Sequence, residues 1–136
     1  MELKKMAIAV ARAYNIPEGI FLALIESESS WNPDAVSVKG AIGLTQVLPT
    51  TASSLGYDPQ KIVDNPLLQL EVGGRYLHEM YNMFKSWDKA LAAYNAGPHN
   101  VQKYNGIPPF RVTQNFVKRI LEYAEEYKRG KNKSKI

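Results

Sequence analysis

Leu3, Met6, Ala7, Val10 and Tyr14 recur at three- and four-residue intervals, the spacing that lines one face of a helix. Pro17 lacks the amide a continuing helix needs, so this first helix is expected to stop before it. A second helix is expected over 18–30, with Phe21, Leu24 and Ile25 on one face. Residues 31–65 read differently. Pro33, Gly40, Gly43, Pro49, Gly56 and Pro59 interrupt any period, which predicts irregular chain with one short helix near 50–55. Asn65 before Pro66 has the form of an N-cap followed by a first-turn proline. It opens a long helix to about Phe84, with Leu70, Gly73, Leu77, Met80, Tyr81 and Phe84 along its stripe. Gly73 and Gly74 each weaken such a helix by about 1 kcal/mol against alanine, a penalty that close approach of another helix would explain. Further helices are expected over 87–95, closed by Gly97 and Pro98, near 100–104, and over 113–127. The last carries Phe116, Val117, Ile120, Leu121, Ala124 and Tyr127 on its apolar side. No alternating strand pattern exceeds a few residues, so the expected fold class is all-α or mainly α.

Composition narrows the functional classes. At 136 residues, 45% apolar and 22% charged, the chain has the makeup of one folded domain. It has no cysteine, which excludes disulfide frameworks, zinc–cysteine sites and thiol nucleophiles. The net charge of +4 is unevenly placed. Residues 128–136 hold five of the 17 cations and no acid, and without them 12 cations face 13 acids, a net of −1. A basic nucleic-acid groove is therefore not indicated. The expected organisation is a folded domain over 1–127 and a basic, disordered tail over 128–136. No apolar stretch is long enough to span a membrane. The apolar run at 6–11 is broken by Arg12, unlike a signal peptide's core.

Among the acids, Glu28 stands apart. It lies seven beyond Phe21, four beyond Leu24 and three beyond Ile25, so it extends the apolar stripe at the helix end. Glu26, two residues away, points to a different face and is expected to be solvated. Glu28 is either a terminal cap or ion-pair partner, or a desolvated acid. Burial and the negative end of the helix dipole would both raise its pKa, as a general acid near neutral pH requires.

The residues after Glu28 point further. Glu28-Ser29 at a helix end, Gly43-Leu44-Thr45-Gln46, and Ala93-Tyr94-Asn95-Ala96-Gly97 occur in this order, with Asn65-Pro66 and Gly74-Arg75-Tyr76-Leu77 between them. The chain resembles, over about residues 6–127, the soluble-transglycosylase (SLT) catalytic domain of lytic transglycosylases, with its goose-type lysozyme fold. The resemblance implies an all-α, lysozyme-like domain with a cleft between helical lobes. It also implies cleavage of the MurNAc-β-1,4-GlcNAc bond of peptidoglycan, giving 1,6-anhydromuramoyl ends, with Glu28 acting first as acid and then as base. A goose-type lysozyme-like hydrolase is the nearest rival, since Asp34, Asp58 and Asp64 could supply a second carboxylate. A non-catalytic wall-binding component is a further alternative.

By the same resemblance, Ser29, Ser37, Gln46, Leu48, Tyr94 and Asn95 are substrate-binding candidates. Each has a plain structural alternative: a backbone-bonded hydroxyl, a turn residue, a satisfied amide or core packing. For Asn95, fixing the helix end is the better reading. Three positions depart from the family pattern. Thr45 stands for a Met and is expected to remove an apolar contact from the cleft floor. Val112 stands for a Glu and Phe116 for a Tyr, which puts recognition at the far side of the cleft in doubt. His78 and His99 have neither metal spacing nor a catalytic partner, and no metal or cofactor is implied. The implied partner is the peptidoglycan glycan strand, bound by a monomer, with the basic tail on anionic envelope polymers. With no export segment evident, delivery to the wall by a phage or virion, or a secreted enzyme without its signal, is expected.

Overall fold

The structure is a computed structural model that describes the backbone of residues 2–134 and the side chains of residues 2–130. Its helices are α1 (Leu3–Ala13), α2 (Glu18–Ser29), α3 (Pro49–Ser54), α4 (Pro59–Ile62), α5 (Pro66–Phe84), α6 (Trp87–Ala96), α7 (Pro98–Tyr104) and α8 (Arg111–Ser134). Only isolated bridges pair Ile42 with Val36 and Val47, so the all-α expectation holds among the described residues. A 3-10 turn at Gly43–Thr45 and the short α4 lie where irregular chain was expected. Asp58 caps α4 by accepting from the Gln60 amide at 3.0 Å, and Pro59 fills its first turn. Asn65 caps α5 as its sequence indicates, accepting from the Leu68 amide at 3.1 Å.

Contacts divide the chain within α5 into two compact units, Met1–Tyr76 and Leu77–Ile136. In the first, α1 gives way to a turn through Asn15, whose φ is 57°, and Arg12 pairs with Glu18 at 2.8 Å across that turn. Every residue from Gly19 to Ile25 is buried. The stripe expected for α2 is therefore a whole circumference, the mark of a central helix. The two glycines of α5 do admit close neighbours, though not both admit a helix. A Cβ on Gly74 would come within 2.7 Å of Val10 in α1. One on Gly73 would overlap the side chain of Thr45 in the 3-10 turn.

In the second unit, Ala90–Ala93, Val101, Phe116, Val117 and Ile120 are buried, and α6 packs on α7 and α8. Trp87 stacks on Tyr81 with centroids 4.1 Å apart. The last helix begins two residues earlier than expected and continues seven beyond Tyr127, to Ser134. Lys and Arg are good helix formers, and cations suit a helix C-terminus. Residues 128–134 of the segment expected as a disordered tail are thus helical; residues 135 and 136 lie outside the described residues.

Candidate active site

Glu28 lies one residue before the end of α2. The chain leaves that helix through two successive left-handed residues, Ser30 (φ 50°) and Trp31 (φ 65°). Neither is glycine, and the conformation is uncommon for a bulky side chain. Glu26 is exposed and Glu28 half-buried, as the helix register indicates. Burial alone raises the Glu28 pKa from 4.5 to about 7. Desolvation disfavours the ionised form, so the carboxyl holds its proton close to neutral pH. Asp34, Asp58 and Asp64 are all exposed.

The segment over 33–48 is folded onto the end of α2 by hydrogen bonds. The Ser29 hydroxyl donates to the Leu44 carbonyl at 2.9 Å and lies 3.2 Å from the Ile25 carbonyl. Its single proton is therefore used internally, and Ser29 has only acceptor capacity left. Gln46, with φ 53°, donates from Nε2 to the Ala35 carbonyl at 3.1 Å and the Gly43 carbonyl at 2.8 Å. Both amide protons are spent, so only the acceptor Oε1 is left to the side chain. Ser37 Oγ accepts from the Ala41 amide at 3.0 Å, closing its own turn, and keeps a proton to donate. Leu48, just before α3, is 37% exposed.

Thr45 corrects the sequence expectation. It is 1% exposed, packs against Gly73, and donates its hydroxyl to the Gln69 carbonyl at 2.7 Å. It is an interior residue of this unit, and a threonine there adds a hydrogen bond where an apolar chain would add none. Gln69 was not anticipated. It is 1% exposed; its Oε1 accepts from the Leu44 amide at 2.9 Å, and its Nε2 donates to the carbonyls of Pro33 at 3.0 Å and Ile62 at 3.2 Å. The one sequence signal was register: Gln69 stands four residues before Gly73, on the buried face of α5.

In the second unit, Tyr94 is buried, with 9% exposure. Asn95 is exposed, and its Oδ1 accepts from the buried Thr113 hydroxyl at 2.7 Å. That bond ties the end of α6 to the start of α8. Val112 is 73% exposed and Phe116 is buried. His78 lies 3.1 Å from the Asn82 amide nitrogen, and His99 is exposed.

Comparison with known proteins gives a consistent result. Residues 5–117 match the family described as the transglycosylase SLT domain. The soluble lytic murein transglycosylase of Escherichia coli strain K12 is 33% identical over 135 residues, covering 83% of this chain and 21% of that protein. The solved complex of a 70 kDa soluble lytic transglycosylase with bulgecin A is 29% identical with a TM-score of 0.81, covering 91% of this chain and 24% of that one. The lytic transglycosylase Slt of Pseudomonas aeruginosa, solved as an inactive Glu-to-Gln mutant, is 26% identical with a TM-score of 0.79, covering 94% and 24%. The chain spans about a fifth of the length of the soluble transglycosylases it matches.

Proposed function

Because this chain belongs to the transglycosylase SLT domain family, we propose that it cleaves the MurNAc-β-1,4-GlcNAc bond of peptidoglycan by a lytic transglycosylase reaction. The observation that carries this is a desolvated carboxyl, Glu28, held near pKa 7 beyond the buried stretch Gly19–Ile25 of α2. The inactive Glu-to-Gln mutant of the Pseudomonas aeruginosa enzyme supports one glutamate as the centre of the chemistry.

In this reading, Glu28 gives its proton to the glycosidic oxygen as the C1–O bond breaks, releasing the GlcNAc hydroxyl. The resulting carboxylate takes the proton from the C6 hydroxyl of the muramoyl residue. That oxygen bonds to C1, closing the 1,6-anhydro ring and returning Glu28 to its acid form. Water is neither consumed nor needed, so no second carboxylate is required. A group with a pKa near the working pH serves in both directions. Around it, Gln46 Oε1 accepts from a sugar N–H or O–H, the Ser37 hydroxyl donates, and Leu48 offers apolar surface. Ser29 holds the 43–46 turn in place.

The products distinguish this reaction from hydrolysis, which pairs two carboxyl groups about 5–9.5 Å apart. Purified peptidoglycan digested with the protein is expected to release muropeptides ending in anhydromuramic acid, one water lighter than reducing ends by mass spectrometry. Reducing ends would assign a muramidase instead.

The cell wall is then the place of action, and the cations of residues 128–136 suit anionic envelope polymers. Removing these residues is expected to weaken binding to whole walls at low salt, where charge attraction is least screened, and to leave turnover of short soluble glycans unchanged. Unaltered wall binding would remove the segment from the mechanism.

A further inference from the structure

Two features frame the end of α2. On one side the chain exits through the left-handed residues Ser30 and Trp31 to Pro33. On the other, the 3-10 turn reaches back, its Leu44 carbonyl bound by Ser29. Strained backbone of this kind persists only where the surroundings over-determine it. One buried side chain grips both flanks. Gln69 donates to the Pro33 carbonyl beyond the strained exit and accepts from the Leu44 amide in the turn, while its second amide proton is held by Ile62. All of this side chain's donors are used, and its backbone carbonyl takes the Thr45 hydroxyl. Gly43 leaves room for it, since a Cβ there would overlap the Gln69 amide.

We propose that Gln69 is a positioning residue for Glu28, clamping the exit of α2 and the 43–46 turn to α5 so that the carboxyl is held at one depth and orientation. The proposal rests on the lytic transglycosylase reading for its kinetic consequence but not for its structural one. Gln69 need not touch substrate. It acts through Leu44 and Ser29 on one side of Glu28 and through Pro33 on the other. Without it, the Leu44 amide and two carbonyls lose their partners in the interior and seek water. The turn then lifts from α2, and the carboxyl becomes wetter and less fixed.

The test uses the full 136-residue chain carrying Gln69→Leu, which removes all three bonds. Gln69→Asn is the second variant; it keeps the amide but shortens its reach, and it carries the same readouts if the leucine variant fails to fold. Circular dichroism at the assay temperature establishes folding. On glycan strands, kcat is expected to fall about 10²-fold, as for a reacting group misplaced by about 1 Å, with KM within about threefold of wild type. In the absence of substrate, the carbon-13 NMR titration midpoint of the Glu28 carboxyl is expected to move down from about 7 towards 4.5. A folded variant that keeps both the wild-type midpoint and the wild-type kcat overturns the proposal, because a merely structural glutamine would lower Tm and move neither. The titration needs no glycan. Wild-type protein inactive on peptidoglycan would therefore count against the function alone and leave the positioning test intact.

Discussion

Glu28→Gln is expected to lower turnover of peptidoglycan by roughly 10²–10⁴-fold, the range supplied by a positioned acid or base, with KM little changed. Glutamine keeps the shape of the side chain but can neither give nor take the proton. Because the group is half-buried without a charged partner among the described residues, its replacement should not unfold the chain. The pH dependence of stability gives an independent check. The folded pKa lies above the ordinary value, so the folded state binds the extra proton. Below pH 4.5 the carboxyl is neutral in both states and contributes no difference. Between 4.5 and about 7 the unfolded chain ionises first, and stability falls as pH rises; above about 7 the penalty is constant. A shift of this size corresponds to roughly 1–3 kcal/mol for a partly exposed group. Urea unfolding should therefore find Glu28→Gln more stable than wild type at pH 8 and about equal at pH 4. Equal stability at both would show that burial does not hold the proton there. Wild-type activity in the variant would sink the acid/base assignment. Activity should also decline in wild type as pH rises through about 7, because the acid form is lost.

The second large effect is on the fold. Gly43→Ala is expected to destabilise the protein by about 3–5 kcal/mol, at the upper end for one methyl group. Two costs combine. Gly43 has φ 63°, and an L-residue in that region costs roughly 1–2 kcal/mol. The new Cβ would also occupy the space of the Gln69 amide. Displacing it leaves the Leu44 amide and the Pro33 and Ile62 carbonyls short of partners, at about 1–3 kcal/mol for an unsatisfied buried group. Gly40→Ala is the control. Gly40 has φ 88°, but nothing lies within 4 Å of its hypothetical Cβ, so only the backbone cost of roughly 1–2 kcal/mol applies. Urea midpoints that fall equally in the two variants would show that the Gln69 contact contributes nothing.

These two predictions draw on different kinds of information. Glu28 was legible because its position relative to Phe21, Leu24 and Ile25 is a local matter of helix register. The same holds for the cap at Asn65, the start of α5 at Pro66 and the end of α6 before Gly97. The 31–65 segment was legible only as a break in periodicity. Its path is set by pairings such as Gln69 with Pro33, 36 residues away, and with Leu44, 25 away, for which single-sequence spacing carries no signal. Thr45 is buried for the same reason: its neighbour is Gly73, 28 residues away, and not a second helix.

The sequence by itself therefore determined the all-α class, the positions of the main helices and the acid that continues an apolar stripe. Each follows from interactions between residues three or four apart, or from the restricted torsions of proline and glycine. Only the tertiary structure decided that α2 is buried all round from Gly19 to Ile25, that Glu28 stays protonated to about pH 7, and that Ser29 and Gln46 have spent their protons internally. Desolvation and hydrogen-bond satisfaction depend on which distant groups arrive at a site, and a chain specifies those only by folding.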